Sequence, residues 1–293
     1  MSYNSGAAFR RALEDRLLAQ SRESGLALVR LRKLVAFDRL LARLVAAQPG
    51  QWLLKGGVAM QLRLGSLART TRDMDLLLVS PRSAIYAALA HAARRELADW
   101  FEFTVAPARG PLPGVGEGGL RFPVTALLDG RVFESFHLDV GSGDPVVEPA
   151  DILMMPPLLA FAGIAPASVS CYPLSQHIAE KVHAYVRPHV TGANTRVRDL
   201  VDLVMIARHC SVNGAKLHEA LQATFAARSQ GALPPRLPEP PAEWRIPFKA
   251  LCVEVGLGDL DPVQAIAQIR VFLEPALTGT DARIWSPAQQ AWT

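Results

Sequence analysis

An α+β fold in two lobes is expected of these 293 residues. Three features of the pattern point to it. Apolar residues recur at helical spacing over 7–47 and again from 175 onward. Strand-like runs are confined to the region between, at 51–79 and 125–140. The apolar, proline-broken stretch 144–170 reads as the crossing from one lobe to the other. The expected division is therefore a mixed β-sheet flanked by helices over 1–160 and a mostly helical C-terminal lobe over 161–293.

Composition narrows the class. Half of the residues are hydrophobic, so a sizeable core can be buried. No apolar run reaches the roughly 18 residues of a membrane span. The N-terminal MSYNSGAAFRRALEDR lacks the apolar core of a signal peptide. Cys171, Cys210 and Cys252 are odd in number and far apart, which argues against a disulfide framework or zinc cluster and for a reducing cytoplasm. A net charge of +4 and a pI near 9.2 are compatible with an RNA partner. Of the 31 basic residues only Lys33, Lys55, Lys181, Lys216 and Lys249 are lysines. Arginine grips phosphate bidentately, although genomic base composition gives the same bias.

Residues 7–47 divide into two helices. Phe9, Leu13 and Leu17 form one stripe; after a break at Ser24-Gly25, Leu34, Leu41 and Leu44 form another. Arg10, Arg11, Arg30, Arg32 and Arg39 occupy the remaining faces, either as solvated surface or as the lining of an RNA groove.

The next stretch, WLLKGGVAMQLRLGSLARTTRDMDLLLV over 52–79, is the most informative in the chain. An apolar run delivers Gly56-Gly57, a short helical pattern follows, and Thr70-Thr71-Arg72 leads into Asp73-Met74-Asp75. On a strand, Asp73 and Asp75 point to one face. Two adjacent carboxylates repel, and all-oxygen donors suit a magnesium ion. Glycines without Cβ atoms let backbone N–H groups approach a phosphate. Glycine turn followed by Asp-x-Asp is what nucleotide-plus-magnesium chemistry needs.

Ser80-Pro81 is a good helix start, Ser as N-cap and Pro at the first position, for a helix to about Leu97. The Gly/Pro-rich residues 107–119 are expected as a mobile loop and candidate flap. A hairpin turning on Asp129-Gly130 follows. On its second strand Val132, Phe136, Leu138 and Val140 share one face, and Ser135, His137 and Asp139 the other. Asp139 is then a third carboxylate, on a strand that could lie beside Asp73 and Asp75, or a residue capping the following turn.

In the second lobe, Ser175 is placed to cap a helix carrying Ile178, Val182, Tyr185 and Val186 on its apolar stripe. Lys181 falls at the edge of the stripe, where it needs an anionic partner, while Glu180 and His183 face away. The next helix puts Asp199 and Asp202 on one face, with Arg198 four residues before Asp202 as a possible ion pair. Further helices are expected over 211–228 and 262–274, separated by an extended linker at 234–241.

Gly56-Gly57, Asp73-x-Asp75, Glu180-Lys181-x-His183-Ala184 and Arg198-Asp199-x-x-Asp202-Leu203, in that order, resemble the motifs of the AbiEii-type nucleotidyltransferase toxins, including the MenT-like toxins. That family lies in the DNA-polymerase-β-like nucleotidyltransferase superfamily. The resemblance spans about Leu53 to Leu203. Val58 stands where Thr or Ser is frequent, and Arg198 where lysine is common; both leave substrate choice open.

The resemblance implies a nucleotidyltransferase-like sheet and a magnesium-dependent enzyme. Asp73, Asp75 and Asp139 would bind Mg2+, and Gly56, Gly57 and Thr71 would line the phosphate site. Lys181 would contact the nucleotide phosphates; Asp202 would hold Lys181 or assist the attacking hydroxyl. The implied substrates are a nucleoside triphosphate and the 3′ end of tRNA, in the cytoplasm, under control of an antitoxin encoded nearby. Transfer to a protein side chain, or a non-catalytic RNA- or antitoxin-binding module, are the alternatives. The expectation rests on a spatial premise: carboxylates from two strands gather at a cation, and a helix of the second lobe brings Lys181 to the same cleft.

Overall fold

Ser5 opens the fold by accepting a hydrogen bond from the Ala8 N–H, so helix α1 (Gly6–Ser24) begins with a side-chain cap. It ends at Gly25, whose φ of 72° is the left-handed C-cap that glycine adopts without strain. Helix α2 (Leu28–Ala47) follows. The computed structural model describes residues 3–108, 110, 119–187, 196–228, 232–279 and 283–293. The loop expected at 107–119 lies mostly outside the described residues.

After α2 come strand β1 (Trp52–Lys55), helix α3 (Gly56–Leu64) and strand β2 (Met74–Leu78). Helix α4 (Ile85–Ala93) is shorter than expected and starts later. Ser80 does not cap it: its hydroxyl donates to Gln51 Oε1 at 2.9 Å, and a 3-10 turn over Arg82–Ala84 intervenes. Strands β3 (Phe101–Val105), β4 (Leu120–Leu128) and β5 (Arg131–Ser142) complete the centre of the sheet. The stretch expected only as a crossing adds two more strands, β6 (Asp151–Met154) and β7 (Ser168–Cys171).

The seven strands run in the order β3-β4-β5-β2-β1-β7-β6. β2 pairs parallel with β5 and antiparallel with β1, so the sheet is mixed. One face buries Trp52, Leu54, Met74, Leu76, Leu78, Phe122, Val124, Leu138 and Val140 together with Phe9, Leu13, Leu34, Phe37 and Leu89 of α1, α2 and α4. Several arginines of α1 and α2 serve this packing. Arg39 is buried on Asp38, Arg43 grips Asp99 at 2.6 and 2.9 Å, and Arg10 donates to carbonyls of the β4–β5 turn.

The turn between β4 and β5 carries φ of 53° at Asp129 and 69° at Gly130, the left-handed pair of a tight hairpin. A β-bulge then alters the alternation read from sequence. Leu127 opposes Val132, but Ala126 opposes Glu134, so β5 carries one extra residue. Val132 is consequently exposed, and Phe133 takes the core position instead.

The remaining elements are α5 (Leu174–Val186), α6 (Val197–His209), β8 (Val212–Asn213), α7 (Gly214–Ala227), α8 (Arg245–Glu254), α9 (Pro262–Thr278), β9 (Ile284–Ser286) and β10 (Ala291–Trp292). Ser175 does not cap α5; its hydroxyl donates to Glu148, and Pro173 occupies the cap position. Helix α8 and the small β10-β9-β8 sheet carry no strong sequence signal. That sheet presents Trp285 and Trp292 to Phe272, with the Trp285 indole N–H donating to the Ala207 carbonyl at 2.7 Å.

The chain resolves into two compact units. The first comprises Met1–Arg63, Thr70–Gly143 and Ile152–Cys171; the second comprises Leu64–Arg69, Asp144–Asp151 and Tyr172–Thr293.

Candidate active site

In the first unit the sheet face opposite the packed helices carries a row of charges. Register aligns Lys55 on β1 with Asp75 on β2, Asp75 with Asp139 on β5, and Asp139 with Arg121 on β4. Four neighbouring strands thus contribute a cation, two carboxylates and a second cation along one line. Asp73 lies one residue before β2 begins, on the bend that delivers the strand.

The two glycines are required by what sits above them. Gly56 has φ of 64°, and a Cβ there would fall 1.9 Å from Asp75 Oδ2. A Cβ on Gly57 would fall 2.7 Å from both Cβ and Oγ1 of Thr71. The di-glycine therefore lets the start of α3 tuck under Asp75 and Thr71. Thr71 in turn donates its hydroxyl to the Asp73 carbonyl at 3.0 Å, pinning the bend before β2. Gly56, Gly57, Thr71, Asp73, Asp75 and Asp139 are thus brought together.

Arg121 closes this cluster. Its Nε and a terminal nitrogen donate to the two oxygens of Asp139 at 2.8 and 2.6 Å, a bidentate pair. The same guanidinium is 3.7 Å from Asp73. His137 Nδ1 is 3.5 Å from the other Asp73 oxygen. The hydrogen bond to Asp139 raises the Arg121 pKa; burial opposes it, and the nearby charges of Asp139, Asp73 and Asp75 add to the rise.

Magnesium needs oxygen donors and keeps several waters, so one or two carboxylates plus substrate phosphates suffice for it. Asp73 and Asp75 supply that minimum from one chain segment, and their surroundings are open enough for water, Asp73 being 36% exposed. Asp139, expected as the third carboxylate, has both oxygens on Arg121. Among the described residues no three His, Cys, Asp or Glu side chains stand together as a preformed metal cage. The donor set fits an open site that water and a substrate complete.

The second unit holds the other expected residues in an ionic quartet, Lys181 and Asp202 buried and Asp199 and Arg69 partly so. Lys181 on α5 donates to Asp202 at 2.6 Å and Asp199 at 3.3 Å, both on α6. Arg69 grips Asp202 through two hydrogen bonds of 2.9 Å. Burial opposes the Lys181 charge, but Asp202 and then Asp199 outweigh it, so its pKa rises. Burial likewise opposes the Asp202 charge, and Lys181 with Arg69 outweigh it, so its pKa falls. The quartet carries two positive and two negative charges, the balance that burial of ions demands. Arg198, the partner expected for Asp202, is exposed. His183, expected to face away from the core, is buried edge-to-face on Phe225, 5.1 Å between ring centroids. Burial, then Arg228, Arg187 and Arg196, push its pKa down to about 4. Glu180 pairs with Arg228 at 2.8 Å.

A family model described as "Nucleotidyl transferase AbiEii toxin, Type IV TA system" matches residues 39–270. The chain belongs to this family. The match takes in both charge clusters and so covers most of the chain. Among solved structures, the AbiEii chain is similar to MenT4, a nucleotidyltransferase toxin from Mycobacterium tuberculosis H37Rv. Identity is 18% over 92% of this chain and 98% of that one, with a TM-score of 0.51. It is also similar to JHP933 from Helicobacter pylori, at 16% identity over 85% of this chain and 90% of that one, TM-score 0.42. No curated protein matches by sequence. As an AbiEii protein the chain has the α+β fold and transferase class of a toxin–antitoxin nucleotidyltransferase.

Arg121 and Arg69 are members of these charge clusters that the sequence does not single out. Neither stands in a motif, and each is one of many arginines.

Proposed function

We propose that this AbiEii protein transfers nucleotide from a nucleoside triphosphate to an RNA acceptor, the 3′ end of tRNA, and so blocks translation. The observation that carries the proposal is the aligned row Lys55, Asp75, Asp139 and Arg121 with Asp73 at its edge, packed over a di-glycine. Family membership gives the reaction class; the charge row supports this face of the sheet as its site.

In this reading Asp73 and Asp75 hold a magnesium ion, with Asp139 as the third carboxylate. When bound, the ion neutralises triphosphate charge that the carboxylates alone would repel. Gly56 and Gly57 keep the floor of the site free of side chains, so the triphosphate can lie close to backbone N–H groups. Thr71 fixes the bend that aims Asp73. Lys181 contacts the nucleotide phosphates as an ammonium, and Asp202 keeps it charged and oriented. Asp199 supports the same lysine from 3.3 Å. Positioning and charge neutralisation are what nucleotidyl transfer needs from a protein. The mild basic excess, +4 overall, favours a polyanionic acceptor. A cytoplasmic setting supplies both substrates, and an antitoxin partner follows from the type IV system to which the family belongs. No described helix is long and apolar enough to cross a membrane.

The test is incubation of the protein with α-labelled nucleoside triphosphates, magnesium and cell extract, followed by digestion with RNase or protease. Label lost to RNase and migrating with tRNA is expected. Label that survives RNase and is lost to protease would replace the RNA acceptor by a protein. No incorporation with any triphosphate would leave a binding module.

A further inference from the structure

Arg121 is spent, in this structure, on a carboxylate that nucleotidyl transfer needs for something else. It occupies both oxygens of Asp139 and approaches Asp73 to 3.7 Å, which is where a divalent cation would otherwise find its oxygen donors. Yet its side chain is 40% exposed, and it sits on β4 at the outer end of the charge row. An ion pair this exposed contributes little to stability. An exposed guanidinium that closes on two carboxylates is instead a cation that can change partners, and its planar fork fits a phosphate as well as it fits a carboxylate.

Alternation along β4 sets the face of Arg121, and the β-bulge sets its partner. Counting back from the Asp129-Gly130 turn without interruption would set Arg121 opposite position 138. The extra residue at the bulge moves the register by one and brings Arg121 opposite Asp139. The bulge therefore decides which residue of β5 Arg121 faces.

We propose that Arg121 is an internal counter-cation that competes with the divalent metal for Asp139 and Asp73, and that turns to the triphosphate when metal and nucleotide enter. This rests on the metal-and-nucleotide reading of the site given above. Without metal, Arg121 offsets the repulsion among Asp73, Asp75 and Asp139. With metal bound, that offset is redundant, and the guanidinium is free to neutralise a phosphate of the incoming nucleotide. Arg121 thus has two alternative partners, a carboxylate and a substrate phosphate. It couples nucleotide entry to completion of the metal site: metal alone meets a competitor, metal with triphosphate does not.

The coupling predicts changes of opposite sign, which loss of a structural contact would not produce. Two affinities are measured by calorimetry on the full chain, for Mn2+ alone and for inorganic tripolyphosphate with excess Mg2+. Tripolyphosphate is chosen because it needs no knowledge of the base. Arg121→Gln is expected to bind Mn2+ about 5- to 10-fold more tightly than the wild type, a competitor of unit charge having gone, and Mg-tripolyphosphate about 10-fold or more weakly. Arg121→Lys, which keeps the charge but cannot fork, is expected to lie between the two for both ligands, and serves if the glutamine variant is unstable. Unchanged or weaker Mn2+ binding in both variants overturns the competition. Unchanged tripolyphosphate binding overturns the change of partner. Asp75→Asn separates these failures from failure of the underlying reading. If wild type binds Mn2+ and Asp75→Asn does not, the site stands whatever Arg121 does; if neither binds Mn2+, the metal site itself is wrong.

Discussion

Replacing Gly56 by alanine perturbs the site through a single added carbon, and the structure sets its cost. The residue has φ of 64°, a region that costs a non-glycine residue about 1–2 kcal/mol. The new Cβ would also fall 1.9, 2.5 and 2.8 Å from Oδ2, Cγ and Cβ of Asp75. None of these distances is tolerable, so either the Asp75 side chain swings away or β1 and β2 shift. Overpacking of this kind costs about 1–3 kcal/mol. The sum is a loss of about 2–5 kcal/mol, read as the shift in urea midpoint multiplied by the slope of the transition. The background variant that isolates the clash is Asp75→Gly, because alanine at 75 would retain the Cβ at 2.8 Å. In that background Gly56→Ala should cost only the backbone term of about 1–2 kcal/mol, leaving a coupling of about 1–3 kcal/mol between the two positions. An equal cost in both backgrounds would refute the claim that Gly56 is glycine in order to make room for a carboxylate.

The ionic quartet gives a matched pair of expectations. Asp202→Asn removes the carboxylate that Lys181 and Arg69 share and should destabilise by about 3–5 kcal/mol, more than Lys181→Met, which leaves Asp202 still held by Arg69; the reverse ranking in urea denaturation would contradict the assigned network. The Asp202 pKa is lowered on folding, so its stabilisation is present above the ordinary carboxylate value near 3.9 and lost as pH falls through the depressed folded one. The Lys181 pKa is raised, so its contribution is present below about 10.4 and lost as pH rises through the elevated folded value; Lys181→Met should remove that alkaline limb from a plot of urea midpoint against pH. His183 is held neutral down to about pH 4, whereas in the unfolded chain it takes up a proton near 6.5, so stability should fall as pH drops between these values. His183→Leu should flatten that limb, and an unchanged slope would show that the imidazole is not the group titrating.

What the sequence reveals follows from the range of the forces involved. The Asp129-Gly130 hairpin is legible because both residues adopt φ > 0 for local reasons. The break at Gly25 is legible for the same reason. The pairing of β2 with β5, which sets Asp75 beside Asp139, was foreseeable as a possibility because both strands place a carboxylate opposite an apolar face. Arg121 was out of reach because its partner depends on a bulge, and nothing near 126 or 133 announces one. Arg69 was out of reach because its partner is 133 residues further along the chain. The helix starts expected at Ser80 and Ser175 failed in the same way: each hydroxyl found a more distant partner, Gln51 or Glu148, than the helix N-terminus. Local propensity lost to tertiary hydrogen bonding at both positions. Strands β6 and β7 are four residues each, too short to show a period between prolines.

The central claim is that Asp73 and Asp75 make this AbiEii protein a nucleotidyltransferase. Its most direct measurement is incorporation of α-labelled nucleotide into purified tRNA by wild type, Asp73→Asn and Asp75→Asn proteins of matched urea midpoint. Wild type should label the RNA in a reaction that EDTA stops, and each variant should fall by orders of magnitude. Labelling by Asp75→Asn at the wild-type rate would contradict the account.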